Sequence, residues 1–576
     1  MKFSTAIFIA TTFSTTALAA VASKADCRCT PEQACWPAEN QWKKLNETVG
    51  GKLIKGVPPA AVCHEPNYNE AECEKVKANF GKADFHVANA ISPHNLPWSK
   101  YSCSPFTDKS EPCTMGGYAA YAIKALCYTD IQAGVKFARD NNLRLVVRNT
   151  GHDFLGRSTG HGALTIWTHH LKDTKFIPKY NKPWYKGPAI KAYAGVQVRE
   201  LYDAVGKVGM ETVGGECPSV GYTGGYIQGG GHGPLSGQYG MGADQALSFE
   251  VILPDGSFVT ADPKQNADLY WALSGGGPGT YGIVYSVTSK VYPSQKYAGA
   301  RLSFSAANST QFWELVDWYH QATPEWTDLG IYSYALYGFL GPQLTFMLEP
   351  FLAPGMDSAQ VDKLLTAFRA KIKDTLGTDA TYTSSNYPDF TAAYKALFPD
   401  EGTNNGPLGG RLIPRSVVQK NPEGLSKAIR NIVDNGGLGI EFAVRPTLKV
   451  AGNPDNSVLP AWRDSELHFI IGSSYSSNTP TKEEIKKLDD TVTFDWNQGF
   501  KDISPDAGSY GNEGDFNEPN FQKEFYGKNY ERLLKIKKKY DPKDLLWGKT
   551  NVGSEAWAED EQGLLCRTKP TKPGKP

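Results

Sequence analysis

The sequence predicts a two-domain α+β protein: an α/β domain is followed by a domain built on an antiparallel sheet covered by helices. With 576 residues, the chain is longer than one hydrophobic core usually accommodates. Helical and strand patterns alternate from about residue 118 to 292. From about 295 to 500, aromatic-rich strand patterns such as 331–337 and 467–472 interleave with helical ones such as 358–371.

The N-terminus has the pattern of a secretory signal. Lys2 precedes a short apolar stretch, and small residues at 17–19 and 20–22 have the spacing of a cleavage site. The apolar stretch is too short, and too interrupted by Ser and Thr, for a membrane anchor. We therefore expect residues 1–19 to be a signal peptide, cleaved between 19 and 25, and the protein to be secreted.

The cysteines agree with that compartment. Seven of the ten lie between residues 27 and 113, and Cys566 lies near the other end. Such clustering in an exported chain predicts disulfides, whereas the closest pair, at 27 and 29, lacks zinc-ligand spacing. Residues 26–117 thus form a Cys-rich N-terminal segment, Cys127 is the candidate for an unpaired thiol, and 567–576 is a solvated tail. Sequons at Asn46 and Asn308 are consistent with export.

The charge balance narrows the possible partners. Lys plus Arg and Asp plus Glu number 60 each, so no electrostatic attraction to nucleic acid or to an anionic membrane is expected. We expect a monomer that acts on a small-molecule or oligosaccharide substrate.

Local patterns define the α/β domain. Residues 130–140 have helical spacing with Asp130 at the start, and 143–147 follow as a buried strand. Further strands are predicted over 189–194 and 246–253, with a helix over 198–208 between them.

Four glycine-rich turns, at 148–153, 214–221, 229–233 and 274–279, fall within this domain. Successive backbone N–H groups in such turns can hold phosphate, and glycine lets the backbone approach a ligand closely. One such run alone would indicate a tight turn, but four favour a phosphate-bearing cofactor. Neither a Walker loop nor the dinucleotide-binding glycine motif fits the chain.

Two side chains in these turns are candidates for cofactor chemistry. His152 follows a strand among glycines, where a structural histidine is not expected. Cys217 lies apart from the cysteine cluster, although the even number of cysteines also allows a disulfide there. A metal site would recruit His161, His169 and His170, but their spacing matches no compact ligand set, so no metal is expected.

These motifs resemble those of a known family. Residues 147–156 resemble the histidine loop of the vanillyl-alcohol oxidase (VAO) superfamily, and 215–221 the cysteine loop of its berberine-bridge-enzyme branch. Residues 266–277 together with 282–284 are similar to the closing motif of its FAD domain, and residues 525–533 and 537–542 resemble its C-terminal segment. Residues 456–464 resemble fungal isoamyl-alcohol-oxidase-like members.

The resemblance implies an architecture and a cofactor. It implies a PCMH-type FAD-binding domain of two α/β subdomains over 118–294, a substrate domain over 295–504, and a segment over 505–566 that returns to the FAD domain. FAD would be attached covalently to His152 through the 8α-methyl group and to Cys217 through C6. The further FAD contacts implied are Arg148, Asn149, Thr150, Gly151, Gly215, Gly221, Gly225, Gly282, Ile283 and Asn512.

The catalytic base stays open among three residues. Residues 510–513 resemble the family's Tyr-x-Asn-Tyr motif, but Glu513 stands where the second tyrosine is expected. Tyr510, Glu513 and Glu441 are the candidates, and Tyr510 is preferred because the resemblance places it near the flavin ring. A tyrosine base needs its pKa lowered from about 10, and Arg445 is a possible source of the stabilising charge.

Three functions remain in view. The first is an oxidase that removes hydrogen from a hydroxyl of a sugar, alcohol or secondary metabolite and reduces O2 to H2O2. The second is a flavin dehydrogenase that avoids oxygen. The third is a catalytically silent secreted binding protein on the same fold. The presence of both His152 and Cys217 favours the first.

Overall fold

The computed structural model describes residues 27–568. The predicted signal peptide lies outside this range, as does most of the predicted tail. Within the described residues, no helix combines the length and the apolar composition needed to cross a membrane.

Two sheets make up the first part of the chain. A four-stranded sheet has three parallel strands and one antiparallel edge strand, which in spatial order are Leu53–Lys55, Tyr121–Lys124, Leu164–Trp167 and Leu145–Arg148. A five-stranded antiparallel sheet follows, in the order Thr174–Lys182, Tyr185–Tyr193, Ile283–Lys290, Ala246–Ile252 and Phe258–Ala261. The helices here are Tyr128–Asp140, Val198–Gly206, Ser236–Tyr239 and Ala267–Leu273.

These elements lie close to their predicted positions. The helix predicted over 130–140 begins two residues earlier, at Tyr128, so that Asp130 lies in its first turn. The Asp130 carboxylate still caps the helix, because it accepts hydrogen bonds from the backbone N–H groups of Leu126 and Cys127.

A seven-stranded antiparallel sheet forms the second part. Its strands, in spatial order, are Thr381–Tyr387, Tyr297–Ala306, Leu344–Pro354, Tyr332–Phe339, Leu438–Ala443, Ser465–Gly472 and Gly409–Pro414. The helices of this part are Ser309–Asp328, Ser358–Leu376, Phe390–Leu397, Arg415–Lys420, Pro422–Val433, Leu448–Ala451, Lys482–Thr491 and Asn497–Ile503.

The two faces of this sheet have different environments. Residues such as Ala443 and Phe469 pack in one hydrophobic core with the long helices Ser309–Asp328 and Ser358–Leu376. Their chain neighbours Phe442 and Ile470 point the opposite way, into a second core shared with the first part of the chain. The predicted helix-covered sheet is therefore confirmed, and its other face is turned towards the α/β part.

The N-terminal segment is more regular than expected. Instead of a largely irregular chain, it contains the helices Glu39–Thr48, Glu70–Asn79 and Ala83–Val87. Trp42 and Leu45 of the first helix pack into the core of the four-stranded sheet. The many cysteines and prolines of this segment obscured the apolar spacing of its helices.

Eight cysteines form four disulfides, Cys27–Cys566, Cys29–Cys35, Cys63–Cys73 and Cys103–Cys113. The first ties the end of the chain to the N-terminal segment. Cys127 and Cys217 have free thiols. The unpaired thiol expected at Cys127 is therefore confirmed, and the alternative of a disulfide at Cys217 is wrong.

The C-terminal segment returns to the first part of the chain. Its helix Tyr530–Tyr540 contacts the helix Ala267–Leu273, and Leu533 is fully buried in the core of the five-stranded sheet. Leu546 forms a parallel bridge with Leu145. The domain boundaries at 117, 294 and 504 stay predictions.

Candidate functional site

A cavity of about 610 Å³ lies where the glycine-rich turns meet the inner face of the seven-stranded sheet. Its size is in the usual range for a cofactor or ligand site. The cavity brings together thirteen of the predicted residues, namely Asn149, Thr150, Gly151, His152, Gly215, Cys217, Gly221, Gly225, Gly282, Ile283, Tyr510, Asn512 and Glu513.

Arg148 does not line this cavity. Its side chain is fully buried and its guanidinium donates to the backbone carbonyls of His86 and Thr150. These contacts fix the turn that carries His152, and the implied FAD contact of Arg148 stays a prediction.

Glu441 lies on the wrong face of the sheet to act as a base. Its strand neighbour Phe442 faces the cavity, and successive strand residues point to opposite faces. The carboxylate of Glu441 instead accepts hydrogen bonds from His320 Nε2 at 2.8 Å and Tyr337 O–H at 3.0 Å, within the helix-covered core. The structure removes it from the candidate bases.

Three groups surround His152. Its Nε2 lies 2.5 Å from Ser219 Oγ and 3.0 Å from Glu401 Oε1, and the Ser219 hydroxyl also donates to Glu401. The His94 ring stacks on His152 with ring centres 4.2 Å apart. These contacts hold the ring of His152 in one orientation.

Burial and neighbouring groups determine the charge states of Glu401 and His94, the two titratable partners of His152. Burial raises the pKa of Glu401, but the His152 contact and the Ser219 hydroxyl outweigh burial and leave that pKa below its ordinary value. Burial, and then the charge of His152, hold the pKa of His94 well below its ordinary value, so the His94 ring is neutral. Glu401 is thus the one charged partner among the three.

The Cys217 thiol is protonated in this environment. Burial raises its pKa well above the ordinary value, and the carboxylates of Glu401, Glu216 and Glu513 raise it further. Glu216 also lines the cavity, and burial raises its pKa to about 8.

Tyr510 does not have the properties of a base. Burial, followed by the negative charge of Glu513, raises its pKa above the ordinary value. Its hydroxyl oxygen accepts hydrogen bonds from Gly231 N–H at 3.1 Å and from Asn512 Nδ2 at 2.8 Å. These two hydrogen bonds lower the pKa of Tyr510 but do not outweigh burial and the charge of Glu513, so the hydroxyl retains its proton and can donate it in a hydrogen bond.

Arg445 does not support Tyr510. It pairs instead with Asp328 at 2.8 Å, at the edge of the helix-covered face. The expected stabilisation of a tyrosinate by Arg445 is therefore wrong.

Glu513 is held between two histidines that sequence reasoning did not single out. Its Oε2 lies 3.0 Å from Nε2 of His232 and 2.7 Å from Nε2 of His468. Burial raises the pKa of Glu513, but the two imidazoles outweigh burial and leave that pKa below its ordinary value. Glu513 is therefore ionised, although it lies in a largely buried site.

One part of the remaining wall is mostly apolar, and Glu349, Asp400, Thr403 and Asn404 line another part of it. The apolar part is formed by side chains from the seven-stranded sheet and its neighbouring loops, namely Tyr334, Phe398, Leu408, Ile440, Phe442 and Ile470. Ionisable groups at this end therefore lie next to a hydrophobic surface.

The residues fit FAD at the glycine-rich end. Asn149 Oδ1, Gln228 Oε1 and the Tyr226 hydroxyl line the cavity, are buried and have no hydrogen-bond partner among residues 27–568, so a polar ligand would satisfy them. A Cβ added to Gly225 would meet no atom within 4 Å, whereas one at Gly221 would collide with the Asn149 side chain. The backbone at Gly225 thus faces open space, whereas the backbone at Gly221 packs closely against Asn149.

Some of the residues that were missed carried a signal. His232 lies within the third glycine-rich turn, and the same reasoning that selected His152 could have selected it. His468, Glu401 and His94 come from a strand, a loop and the N-terminal segment, and only the folded chain brings them into contact with the residues of the site.

The chain matches two family models. Residues 119–262 match the FAD binding domain model, and residues 509–553 match the model for berberine and berberine-like proteins. The two matches include the histidine and cysteine loops and the 510–513 motif.

Curated relatives match along nearly the whole chain. The FAD-linked oxidoreductase sor8 of Hypocrea jecorina is 41% identical, over 95% of this chain and 94% of the relative. The VAO-type flavoprotein oxidase VAO615 of Thermothelomyces thermophilus is 38% identical, over 94% of this chain and 95% of the relative.

Solved structures agree. The crystal structure of the VAO-type flavoprotein MtVAO615 from Myceliophthora thermophila C1 has a TM-score of 0.88 and 36% identity, and the match covers 94% of this chain and 100% of that one. A chitooligosaccharide oxidase, 16% identical with a TM-score of 0.60, covering 75% of this chain and 92% of that one, shares the fold. The chain therefore belongs to the berberine-bridge-like branch of the vanillyl-alcohol oxidase superfamily and is an FAD-dependent oxidoreductase.

Proposed function

We propose that the protein is a secreted oxidase in which FAD is attached covalently to His152 and Cys217, and which oxidises the hydroxyl of an apolar alcohol. The observation that carries the proposal is that His152 and Cys217 line one cavity while Cys217, alone with Cys127, stays outside the disulfides. A free, partly exposed thiol at the cofactor cavity of an exported protein is available for bonding to the cofactor.

The surroundings of His152 support attachment through one of its nitrogens. Nε2 is occupied by Ser219 and Glu401, which leaves Nδ1 as the nitrogen available for a covalent bond. Ser219 and Glu401 would then fix the ring while the bond forms. His94, neutral and stacked on the ring, adds no competing charge.

FAD, when bound, supplies a two-electron acceptor for the hydrogen removed from the substrate carbon and passes the electrons to O2. The turn 149–151 and the later glycine turns would hold the cofactor through their backbone. Asn149, Gln228 and Tyr226 provide polar groups that lack a partner in the protein. Leu546 and Trp547 from the C-terminal segment close the same cavity.

The apolar wall supports a substrate class. Ile440, Phe442 and Ile470 offer hydrophobic contact and no hydrogen bonds, whereas a sugar buries many hydroxyls that each need a partner. Among the possible substrates, the apolar part of the wall favours an apolar alcohol or secondary metabolite over an oligosaccharide. O2 is the proposed electron acceptor, because a flavoprotein oxidase is among the close relatives.

Secretion as a monomer completes the proposal. Four disulfides and the signal-like N-terminus support an oxidising, extracellular destination.

The first experiment tests attachment. Purified protein is precipitated with acid, and the pellet is examined for flavin absorbance and in-gel fluorescence. We expect the pellet to stay yellow. Cys217→Ser should change the absorbance spectrum of the retained flavin, whereas Cys127→Ser, which alters the other free thiol, should leave that spectrum unchanged. A colourless wild-type pellet would exclude covalent flavin.

The second experiment tests the reaction. Aromatic and aliphatic alcohols and oligosaccharides are screened for H2O2 production, and active compounds are used to reduce the flavin without oxygen. We expect reduction by apolar alcohols and rapid reoxidation in air. Slow reoxidation would identify a dehydrogenase, and the absence of any reduction would favour the silent binding protein.

A further inference from the structure

His232, His468 and Glu513 form a cluster at the apolar end of the cavity, which we call the His–Glu–His cluster. His232 comes from a glycine-rich turn, His468 from a strand of the seven-stranded sheet, and Glu513 from the C-terminal segment. Both histidines are buried, and each Nε2 contacts the same carboxylate oxygen. Three separate parts of the chain therefore converge on one atom, Glu513 Oε2.

The contacts fix the tautomer of both rings. Glu513 is ionised, so its oxygen accepts hydrogen bonds but cannot donate them. Each Nε2 must therefore carry a hydrogen. In a neutral ring the lone pair is then on Nδ1, and neither Nδ1 has a hydrogen-bond partner among the described residues. Each ring thus has an unused proton-accepting nitrogen.

His232 is the better placed of the two. It lines the cavity, and His468 does not. Burial lowers the pKa of His232, but Glu513, helped by Glu216, outweighs burial and leaves the pKa above its ordinary value. Burial lowers the pKa of His468, and Glu513 only partly offsets this. Proton uptake is therefore favoured at His232.

Aromatic neighbours hold the His232 ring in place. Trp462 stacks on it at 5.5 Å between ring centres, and the rings of Phe442, His468 and Tyr510 lie at 5.0, 4.9 and 5.4 Å. A ring that is oriented in advance needs little reorganisation when it receives a proton.

We propose that His232 Nδ1 accepts the hydroxyl proton of the alcohol substrate, and that Glu513 stabilises the imidazolium that results. The inference rests on the proposed function. Oxidation breaks one C–H and one O–H bond and forms a second C–O bond: the hydrogen on carbon leaves with its electron pair to FAD, and the hydroxyl hydrogen leaves as a proton to His232. Tyr510, whose hydroxyl still has a proton to donate, binds the substrate oxygen. His468 is a positioning residue, because it acts through Glu513.

Substitution separates the roles. In anaerobic reduction by the most active alcohol of the screen, His232→Gln should slow flavin reduction by at least about a hundredfold. His468→Gln, the matched control, keeps Glu513 bound to His232 and should slow reduction by less than about tenfold. A His232→Gln variant that is reduced as fast as the wild type would overturn the proposal, as would an equal loss in both variants.

The pH profile gives a second readout. The titratable groups that face His232 are Glu513, His468, Glu216 and Tyr510. Since only the unprotonated ring accepts a proton, the reduction rate should rise with pH through a pKa above about 6.5, the ordinary value for histidine. Glu513→Gln removes the charge that raises this pKa, so the inflection should move to lower pH and the plateau should fall. Glu216→Gln, which removes a group that titrates near this range, should retain the inflection.

A third readout needs no substrate. Protonation of His232 beside bound flavin should produce a pH-dependent change in flavin absorbance that His232→Gln abolishes and Glu216→Gln retains. Loss of the change in Glu216→Gln alone would assign it to Glu216 and overturn the proposal. A stoichiometric metal ion, removed by chelation with loss of activity, would also overturn it. A colourless acid pellet would refute covalent attachment and leave the role of His232 untouched, whereas an unreduced flavin in the alcohol screen would refute the proposed function and with it the alcohol as the source of the proton.

Discussion

Glu401→Gln should slow the formation of the bond between His152 and FAD. The Glu401 carboxylate lies 3.0 Å from His152 Nε2, and the two side chains are 16% and 13% exposed, so water screens their interaction only in part. The substitution keeps the size of the side chain and removes its charge. His152 then loses the charged partner that holds its ring in the orientation for attachment.

The expected magnitude follows from this contact. A hydrogen bond to a charged group contributes about 1.5–3 kcal/mol, and about 1.4 kcal/mol corresponds to a factor of ten. If the oriented ring is the form that reacts, attachment should slow by about 10- to 150-fold. Part of the loss will be recovered by the Ser219 hydroxyl, which remains beside Nε2, so we expect the lower end of this range.

The assay isolates the histidine bond. In a Cys217→Ala background, His152 is the sole attachment, and excess FAD is added while the acid-retained flavin is measured over time. Asp400→Asn is the control, because Asp400 lines the same cavity but its carboxylate contacts neither His152 nor Ser219 in the described part of the chain. Equal rates for Glu401→Gln and Asp400→Asn would refute the reasoning. Circular dichroism and thermal unfolding would exclude a folding defect.

Three further predictions follow from the same structure. His152→Ala and Cys217→Ala should each leave one covalent bond, and the double variant should release its FAD on denaturation; flavin retained by the double variant would show that both attachment sites are wrong. Tyr510→Phe should keep the covalent flavin and slow anaerobic reduction by about tenfold or less, as expected for a lost hydrogen bond; a loss of a hundredfold or more would return Tyr510 to the role of base. Replacing Cys27 and Cys566 by serine opens a disulfide that spans 539 residues and should destabilise the fold by about 2–5 kcal/mol, which a fall in the thermal unfolding midpoint would report.

The sequence predicted the parts of the fold that follow from local patterns. Strands such as Tyr332–Phe339 and Ser465–Gly472 lie close to their expected positions, because alternation and aromatic content are local properties. The helix Glu39–Thr48 was missed, because cysteines and prolines around it masked its apolar spacing. The strand order of the seven-stranded sheet depends on long-range pairing, which no local pattern determines.

The cofactor end of the site was predictable for the same reason. His152 and Cys217 lie in glycine-rich turns whose composition is unusual in itself. Glu441 was misjudged because the choice between it and Phe442 depends on which face of the strand meets the cavity. That face is set by pairing with the strand Ser465–Gly472, where Glu441 lies opposite Phe469 and Phe442 opposite His468.

The glutamate at position 513, where the family motif has tyrosine, explains the arrangement of the His–Glu–His cluster. A glutamate where the family motif has tyrosine places a carboxylate in a largely buried position, and a buried charge without partners costs several kcal/mol. His232 and His468 offset that cost, because each donates a hydrogen bond to the same carboxylate oxygen. A tyrosine there would carry no charge at neutral pH and would need no such pair. The change from tyrosine to glutamate and the presence of two histidines are therefore one chemical unit, and a proton acceptor beside Tyr510 is its consequence.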